Sequence, residues 1–156
     1  MPDTNLFMAA YWNRHSASAA LLELARQGQV RLVISPALER EINATLARVR
    51  PRPTYLQGVQ ELLEGALRVE PGVAVRVVRE DPEDDKLLAC AAAGQADYLA
   101  TNDRHLLRLE QFEGTAILTP TAVLRCLQAG LFTAAGRQAG LGSEDEGQTP
   151  AQEPAP

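Results

Sequence analysis

An α/β architecture, a three-layer sandwich with a parallel sheet of four to five strands flanked by helices, is the fold class that three features of the sequence predict. Short β-branched and apolar runs such as Val30–Ser35 and Asp97–Thr101 alternate with longer stretches of helical periodicity. Prolines that open helices and glycines that close them punctuate the alternation. The 156-residue chain, 46% hydrophobic and 22% charged, suffices for one packed core and is too short for two of ordinary size. Strands separated by helices pair in parallel through right-handed crossovers.

The elements follow in order. Ser16 is placed to cap a helix that runs through Gln27 and ends at Gly28. Val30–Ser35 suits a buried strand. Pro36 opens a helix in which Leu38, Ile42, Thr45, Leu46 and Val49 recur at helical spacing, and Pro51 and Pro53 stop it. Tyr55–Leu67 is a second helix with Leu56, Val59, Leu62, Leu63 and Ala66 on one face. Pro71-Gly72 is a turn and Val73–Val78 reads as a strand. Pro82 opens the helix Glu83–Ala93, which Gly94 ends. Asp97–Thr101 is a strand, Asn102–Leu109 helical, Ala116–Thr119 a strand and Thr121–Leu131 the last helix. The expected domain is residues 1–133. Residues 134–156, rich in Gly, Ala, Gln, Glu and Pro, hold one large apolar side chain, Leu141, and are expected to be a disordered acidic tail.

Composition excludes several chemistries. Two cysteines, Cys90 and Cys126, each in a predicted helix, do not make a disulfide scaffold or a cysteine zinc site, and they fit a reducing cytoplasm. His15 and His105 are the only histidines, so no multi-imidazole centre is available. No run approaches the ~18 apolar residues of a membrane span, and no basic-then-apolar leader opens the chain, so neither membrane insertion nor a signal peptide is expected. The net charge of −5 is unevenly spread: the tail holds Arg137 against four acids and contributes −3, leaving −2 for residues 1–133. That balance argues against a purely electrostatic nucleic-acid binder, and is compatible with an enzyme that holds cations and acts on a polyanion.

Acidic residues recur where predicted strands end. Asp3 precedes Thr4-Asn5, Glu41 lies in the helix opened by Pro36, Asp84 and Asp85 lie in the first turn after Asp81-Pro82, and Asp103 follows the strand ending at Thr101. In a parallel sheet these positions share one edge, where open α/β sheets bind ligands. Taken singly, Asp84, Asp85 and Glu41 match a helix dipole and Asp103 a cap. Capping supplies no reason for all of them to share an edge. Crowded carboxylates repel unless a counter-charge intervenes, and Mg²⁺ or Mn²⁺, with their preference for oxygen ligands, relieve that repulsion. Metal-assisted phosphoryl chemistry therefore suits the pattern better than thiolate or Ser–His chemistry.

Three stretches carry a family resemblance. Asp3-Thr4-Asn5, Ser35-Pro36-Ala37-Leu38-Glu39-Arg40-Glu41-Ile42, and above all the blocks Asp81–Ala91 and Ala96–Leu107 resemble the motifs of PIN-domain proteins, in particular VapC-like ribonuclease toxins of type II toxin–antitoxin pairs. Ile117-Leu118-Thr119-Pro120 resembles the last strand, so the likeness spans residues 1 to about 128. The resemblance implies a PIN-like sheet with a central first strand beside the fourth. It also implies a Mg²⁺- or Mn²⁺-dependent endoribonuclease in which Asp3, Asp84 and Asp103 bind metal, while Glu41 binds a second ion or orients the attacking water. Glu41 is chosen over Glu39 because it directly precedes Ile42, and Asp85 is the alternative to Asp84. Thr4, Asn5, Thr101 and Asn102 would help hold the acids or a water. In-line attack by hydroxide would leave a 5′-phosphate and a 3′-hydroxyl. Implied partners are RNA, a small cognate antitoxin inserting a segment into the cleft, and a second copy in a homodimer. Only two residues precede Asp3 where family members carry several apolar ones, which predicts a stunted central strand or a start upstream.

Around those motifs, Arg40, Arg48 and Arg104 are candidate RNA contacts, with Arg50, Arg52, Arg108 and Lys86 nearby; a solvated surface is the plainer alternative. Tyr11 and Trp12 can stack on bases, cover an interface or pack in the core. A PIN fold that binds without turnover is the rival function. A phosphoacceptor receiver domain ranks below both, because the one lysine, Lys86, lies in the Asp81–Leu88 block rather than after a fifth strand.

Overall fold

A computed structural model of the chain describes residues 1–72 and 82–130. The predicted strand Val73–Val78, Asp81, the end of the predicted last helix at Leu131 and the tail 134–156 lie outside the described residues. Helix α1 (Thr4–Trp12) follows Asp3 directly and leads to α2 (Ala17–Arg26), which Ser16 caps by accepting from Ala19 N. Strand β1 (Val33–Ile34) runs into α3 (Pro36–Val49), α4 (Pro53–Glu64) and β2 (Leu67–Arg68). Then come α5 (Pro82–Ala93), β3 (Tyr98–Ala100), α6 (Arg104–Leu107), β4 (Gln111–Phe112), β5 (Thr115–Leu118) and α7 (Pro120–Gln128).

The α/β class holds, with the sheet in smaller pieces than expected. Among the described residues β1 pairs with β2 in parallel, and a second sheet has the order β3-β5-β4. β3 and β5 are parallel, while β4 and β5 form an antiparallel hairpin that the sequence reading omits. Between the two sheets runs Met1–Asp3, joined to β3 by a single parallel bridge, Pro2 to Ala100. A segment this short cannot hold both neighbours in one continuous ladder. Two further assignments shift: Leu67 leaves its predicted helix and becomes strand β2, and Asn102 and Asp103 stay outside α6 because Asp103 caps it. The apolar run after Asp3 forms α1, an element absent from the sequence reading.

The core lies between the sheets and the helices. Phe7, Ile34, Ile42, Leu46, Val59 and Leu63 bury their side chains in one cluster, and Leu88, Leu99, Leu106 and Ile117 in another. Each such side chain contributes about 1.5–3 kcal/mol relative to exposure. Met1 touches all three clusters, including the small one made by Val33, Cys90, Ala91 and Ala96. The end of α5 crosses β1 so closely that a Cβ on Gly94 would sit 2.3 Å from Val33 Cγ1, which restricts the position to glycine. Arg50, ahead of Pro51, turns to φ 51 and closes α3 through its N–H to Leu46 O at 2.8 Å.

Candidate functional site

Asp3 is fixed from three directions. Its N–H donates to Ala100 O at 3.1 Å, its Oδ1 accepts from Asn5 N at 3.2 Å, and its Oδ2 accepts from Thr101 Oγ1 at 2.7 Å. It is therefore the N-cap of α1 as well as a buried carboxylate. Thr101, at the end of β3, is 1% exposed, and its one hydroxyl serves both acids by accepting the N–H of Asp103 at 3.0 Å. Asp103 in turn caps α6, accepting from His105 N through Oδ1 at 2.7 Å. Its Oδ2 has no hydrogen-bond partner among the described residues.

The facing wall is helical. Ser35 accepts from Leu38 N at 3.2 Å and starts α3, so Glu41 falls in the second turn, exposed. Glu39 points elsewhere and holds Arg68 by two bonds of 2.9 and 3.2 Å. On α5 both Asp84 and Asp85 are buried, and of the two only Asp84 lines the cleft. Glu83 and Lys86, paired across one helical turn, stand at the rim.

Asp3, Glu41, Asp84 and Asp103 thus line one cleft of about 450 Å³, together with Asn5 and Arg40. It opens beyond the carboxyl ends of β1 and β3, where the switch-point rule puts a ligand. A roomier cavity of about 630 Å³ between α1, α2 and α4 is lined by Tyr11, Arg14 and His15, and an apolar one of about 320 Å³ lies beneath Met1. Neither gathers carboxylates.

The donor set fits a hard divalent cation in kind, being oxygen throughout. Thr4 Oγ1, one residue after Asp3, is buried with no hydrogen-bond partner among the described residues, a group that an ordered water would satisfy, though Thr4 does not line the cleft. The spacing is looser than the chemistry: among the described residues no three His, Cys, Asp or Glu side chains converge closely enough to hold one ion. Asp3 and Asp103 spend an oxygen each on capping, and Glu41 reaches in from an exposed helix.

A PIN domain family model matches residues 1–105. The chain belongs to the PIN domain family. PIN domains are generally nucleases and typically use divalent metals, and Asp3, Glu41, Glu83, Asp84 and Asp103, the carboxylates that line the cleft, all fall within the matched residues. Neither a curated protein nor a solved structure matches the chain. No described helix is long and apolar enough to cross a membrane. β4, β5 and α7 lie beyond the matched span of this PIN chain, yet β5 is hydrogen-bonded to β3 through Thr101 N to Leu118 O at 3.0 Å.

Of the other predicted residues, Thr4 is buried, Asn5 lines the cleft and Thr101 links the acids, whereas Asn102 is exposed and outside the lining. Arg40 lines the cleft. Arg48 does not; it lies exposed toward the far end of α3, within 3.3 Å of Thr45 Oγ1. Arg104 is exposed at the start of α6. The sequence reading missed Glu83 and Ser35 as cleft residues. Their signal was present: Glu83 sits three residues before Lys86 on one helix face, and Ser35 precedes the helix-opening Pro36.

Proposed function

We propose that this PIN-domain chain is a Mg²⁺- or Mn²⁺-dependent endoribonuclease, the toxin of a type II toxin–antitoxin pair, and that its catalytic residues are Asp3, Glu41, Asp84 and Asp103. One observation carries the reading: four carboxylates from four separate segments line a single cleft. A bound divalent ion would supply the Lewis acidity that polarises a phosphodiester and lowers the pKa of an attacking water. Asp3, Asp84 and Asp103 are the proposed ligands. Glu41, exposed at the mouth, would hold a second ion or orient the water by accepting its proton. Thr101 would position Asp3 and Asp103 together. Arg40 in the cleft, and Arg104 beside it in sequence to Asp103, would attract the phosphate backbone. The products would carry a 5′-phosphate and a 3′-hydroxyl. The same reading treats the two sheets as parts of one PIN-like sheet, parallel apart from β4, residues 1–133 as the nuclease domain, and a small antitoxin and a second copy as partners in the cytoplasm.

Purified protein with Mn²⁺ and structured RNA should cut the RNA, and Asp84→Asn or Asp103→Asn should abolish the cutting. Cleavage that persists in both variants would remove the assignment. A second reading, a PIN fold that binds without turning over, is favoured by the capping roles of Asp3 and Asp103 and by the loose convergence of the acids. RNA bound but left intact across a Mg²⁺ and Mn²⁺ titration would select it.

A further inference from the structure

Charge gathers against the chain's average at the far end of α1. The chain carries a net charge of −5. Yet the cavity of about 630 Å³ between α1, α2 and α4 is lined by Arg14, His15, Arg26 and Arg52 against one acid, Glu23. Arg26 is partly neutralised, since it lies 3.6 Å from Glu23, and a Cβ on Gly58 of α4 would meet its Nη1 at 3.8 Å. Arg14 and Arg52 are exposed, and their side chains have no ion-pair or hydrogen-bond partner among the described residues. Two cations thus stand uncommitted at the mouth of one cavity.

Aromatic rings form a row along the same cavity. Tyr55 on α4 donates its hydroxyl to Phe7 O on α1, which fixes its ring. Tyr11 packs against it with ring centres 5.0 Å apart, and Trp12 meets Tyr11 edge-on at 4.9 Å. Tyr11 and Tyr55 line the cavity, while Trp12, next along the chain, is 73% exposed. An indole left in water forgoes the burial its large apolar surface offers, so its exposure beside uncommitted cations points to a ligand that brings both a planar face and negative charge. Asp3 caps the other end of α1, so about 12 Å of helix separates the acidic cleft from Tyr11.

We infer that this cavity is a second contact site for RNA, one that takes unpaired nucleotides a short way along the strand held in the acidic cleft. Every unpaired nucleotide carries a phosphate and a free base face. Arg14 and Arg52 answer the phosphates, and Trp12 and Tyr11 the bases. A duplex keeps its base faces inside the stack and offers the aromatic row nothing, so the site selects single-stranded stretches such as loops. An acidic peptide matches the cations but leaves the rings without planar partners, which makes RNA the better fit. The inference rests on the reading of the cleft as an RNA site and adds to it a preference for unpaired strands.

Trp12 is the chain's one tryptophan, so its fluorescence reports on this site alone. The test titrates the full chain with a short unstructured RNA in EDTA, where binding is read without cutting. The RNA should quench Trp12, and an abasic strand of equal length should bind about 10-fold more weakly and quench little. Replacing both cations, Arg14→Ala with Arg52→Ala, should take about 1.4 off the slope of log affinity against log salt, because two phosphates lose their partners. No quenching, equal quenching by the abasic strand, or an unchanged salt slope overturns the site. Quenching by an oligoglutamate as strong as by RNA overturns it in favour of an acidic protein partner. Quenching that persists while added Mn²⁺ yields no cutting keeps this site and removes the nuclease reading of the cleft; cutting without quenching does the reverse.

Discussion

The two walls of the acidic cleft are built differently. On one, Asp3, Thr101 and Asp103 form a hydrogen-bonded unit: a single hydroxyl donates to one carboxylate and accepts the N–H of the other. Both acids also cap helices, so the same atoms that face the cleft hold α1 and α6 in place. On the other wall, Glu41 stands exposed on α3, and Asp84 rides on the first turn of α5. The first wall couples site geometry to stability. The second can be altered with little effect on the fold at Glu41, whose side chain is exposed. Carboxylates thus stand on both walls of one cleft, with no ligating trio among the described residues.

Substitutions separate the walls most sharply when they keep shape and remove charge. Asp103→Asn retains a competent cap, and Glu41→Gln touches an exposed side chain, so both should fold normally while RNA cleavage falls at least about 100-fold. Thermal melts alongside cleavage assays check this, and a melting temperature that drops with Glu41→Gln would contradict the division into a structural and an adjustable wall. Asp3→Ala should lose activity and stability together, because it removes a cap, worth about 0.5–2 kcal/mol, and leaves the Thr101 hydroxyl without its acceptor.

Next in size is Thr101→Val, which keeps the volume and deletes the shared hydroxyl. It should cost about 1–3 kcal/mol of stability and weaken Mn²⁺ binding about 10- to 100-fold, read by denaturant unfolding and titration calorimetry. Unchanged manganese affinity would show that the two acids are set independently.

The Met1 amino group gives a comparable effect through pH. Burial pushes it down from 8.0 to about 6, with Cys90 and Asp97 opposing weakly. Between those values the unfolded chain holds the proton and the folded chain does not. Stability therefore rises as pH goes from 6 to 8 and is lost as pH falls back, by about 2–3 kcal/mol at most. Melting curves across that range should show the slope, and acetylated protein should flatten it. The smallest effect expected is at the arginines. Arg40→Ala should raise KM for RNA by about 3- to 10-fold, more at low salt, while Arg48→Ala, away from the cleft, should leave KM unchanged.

Much of this was legible in the chain. Ser16, Ser35 with Pro36, and the Asp81–Leu107 block announce helix starts and strand ends because caps and prolines act through neighbours within a few residues. Of the paired candidates, Glu41 and Asp84 line the cleft while Glu39 and Asp85 do not. Less legible were α1 and the β4–β5 hairpin. The apolar run Leu6-Phe7-Met8 continues into Ala9 and Ala10, so no polar residue between Asn5 and Tyr11 marks the outer face of α1. The hairpin turns on Glu113 at φ 44 and Gly114 at φ 85, a backbone solution that two short, weakly patterned strands do not advertise.

The sequence by itself determined where each acid stands relative to its own helix, because capping and helical periodicity are local physics. It determined the α/β alternation and the oxygen-only donor set for the same reason. Tertiary structure alone decided that Thr101 ties Asp3 to Asp103, that Asp85 turns from the cleft while Asp84 lines it, and that Met1 ends against a hollow between two sheets. Those outcomes depend on which strand edges meet across nearly a hundred residues of chain, and such long-range pairing is set by packing rather than by any spacing in the sequence.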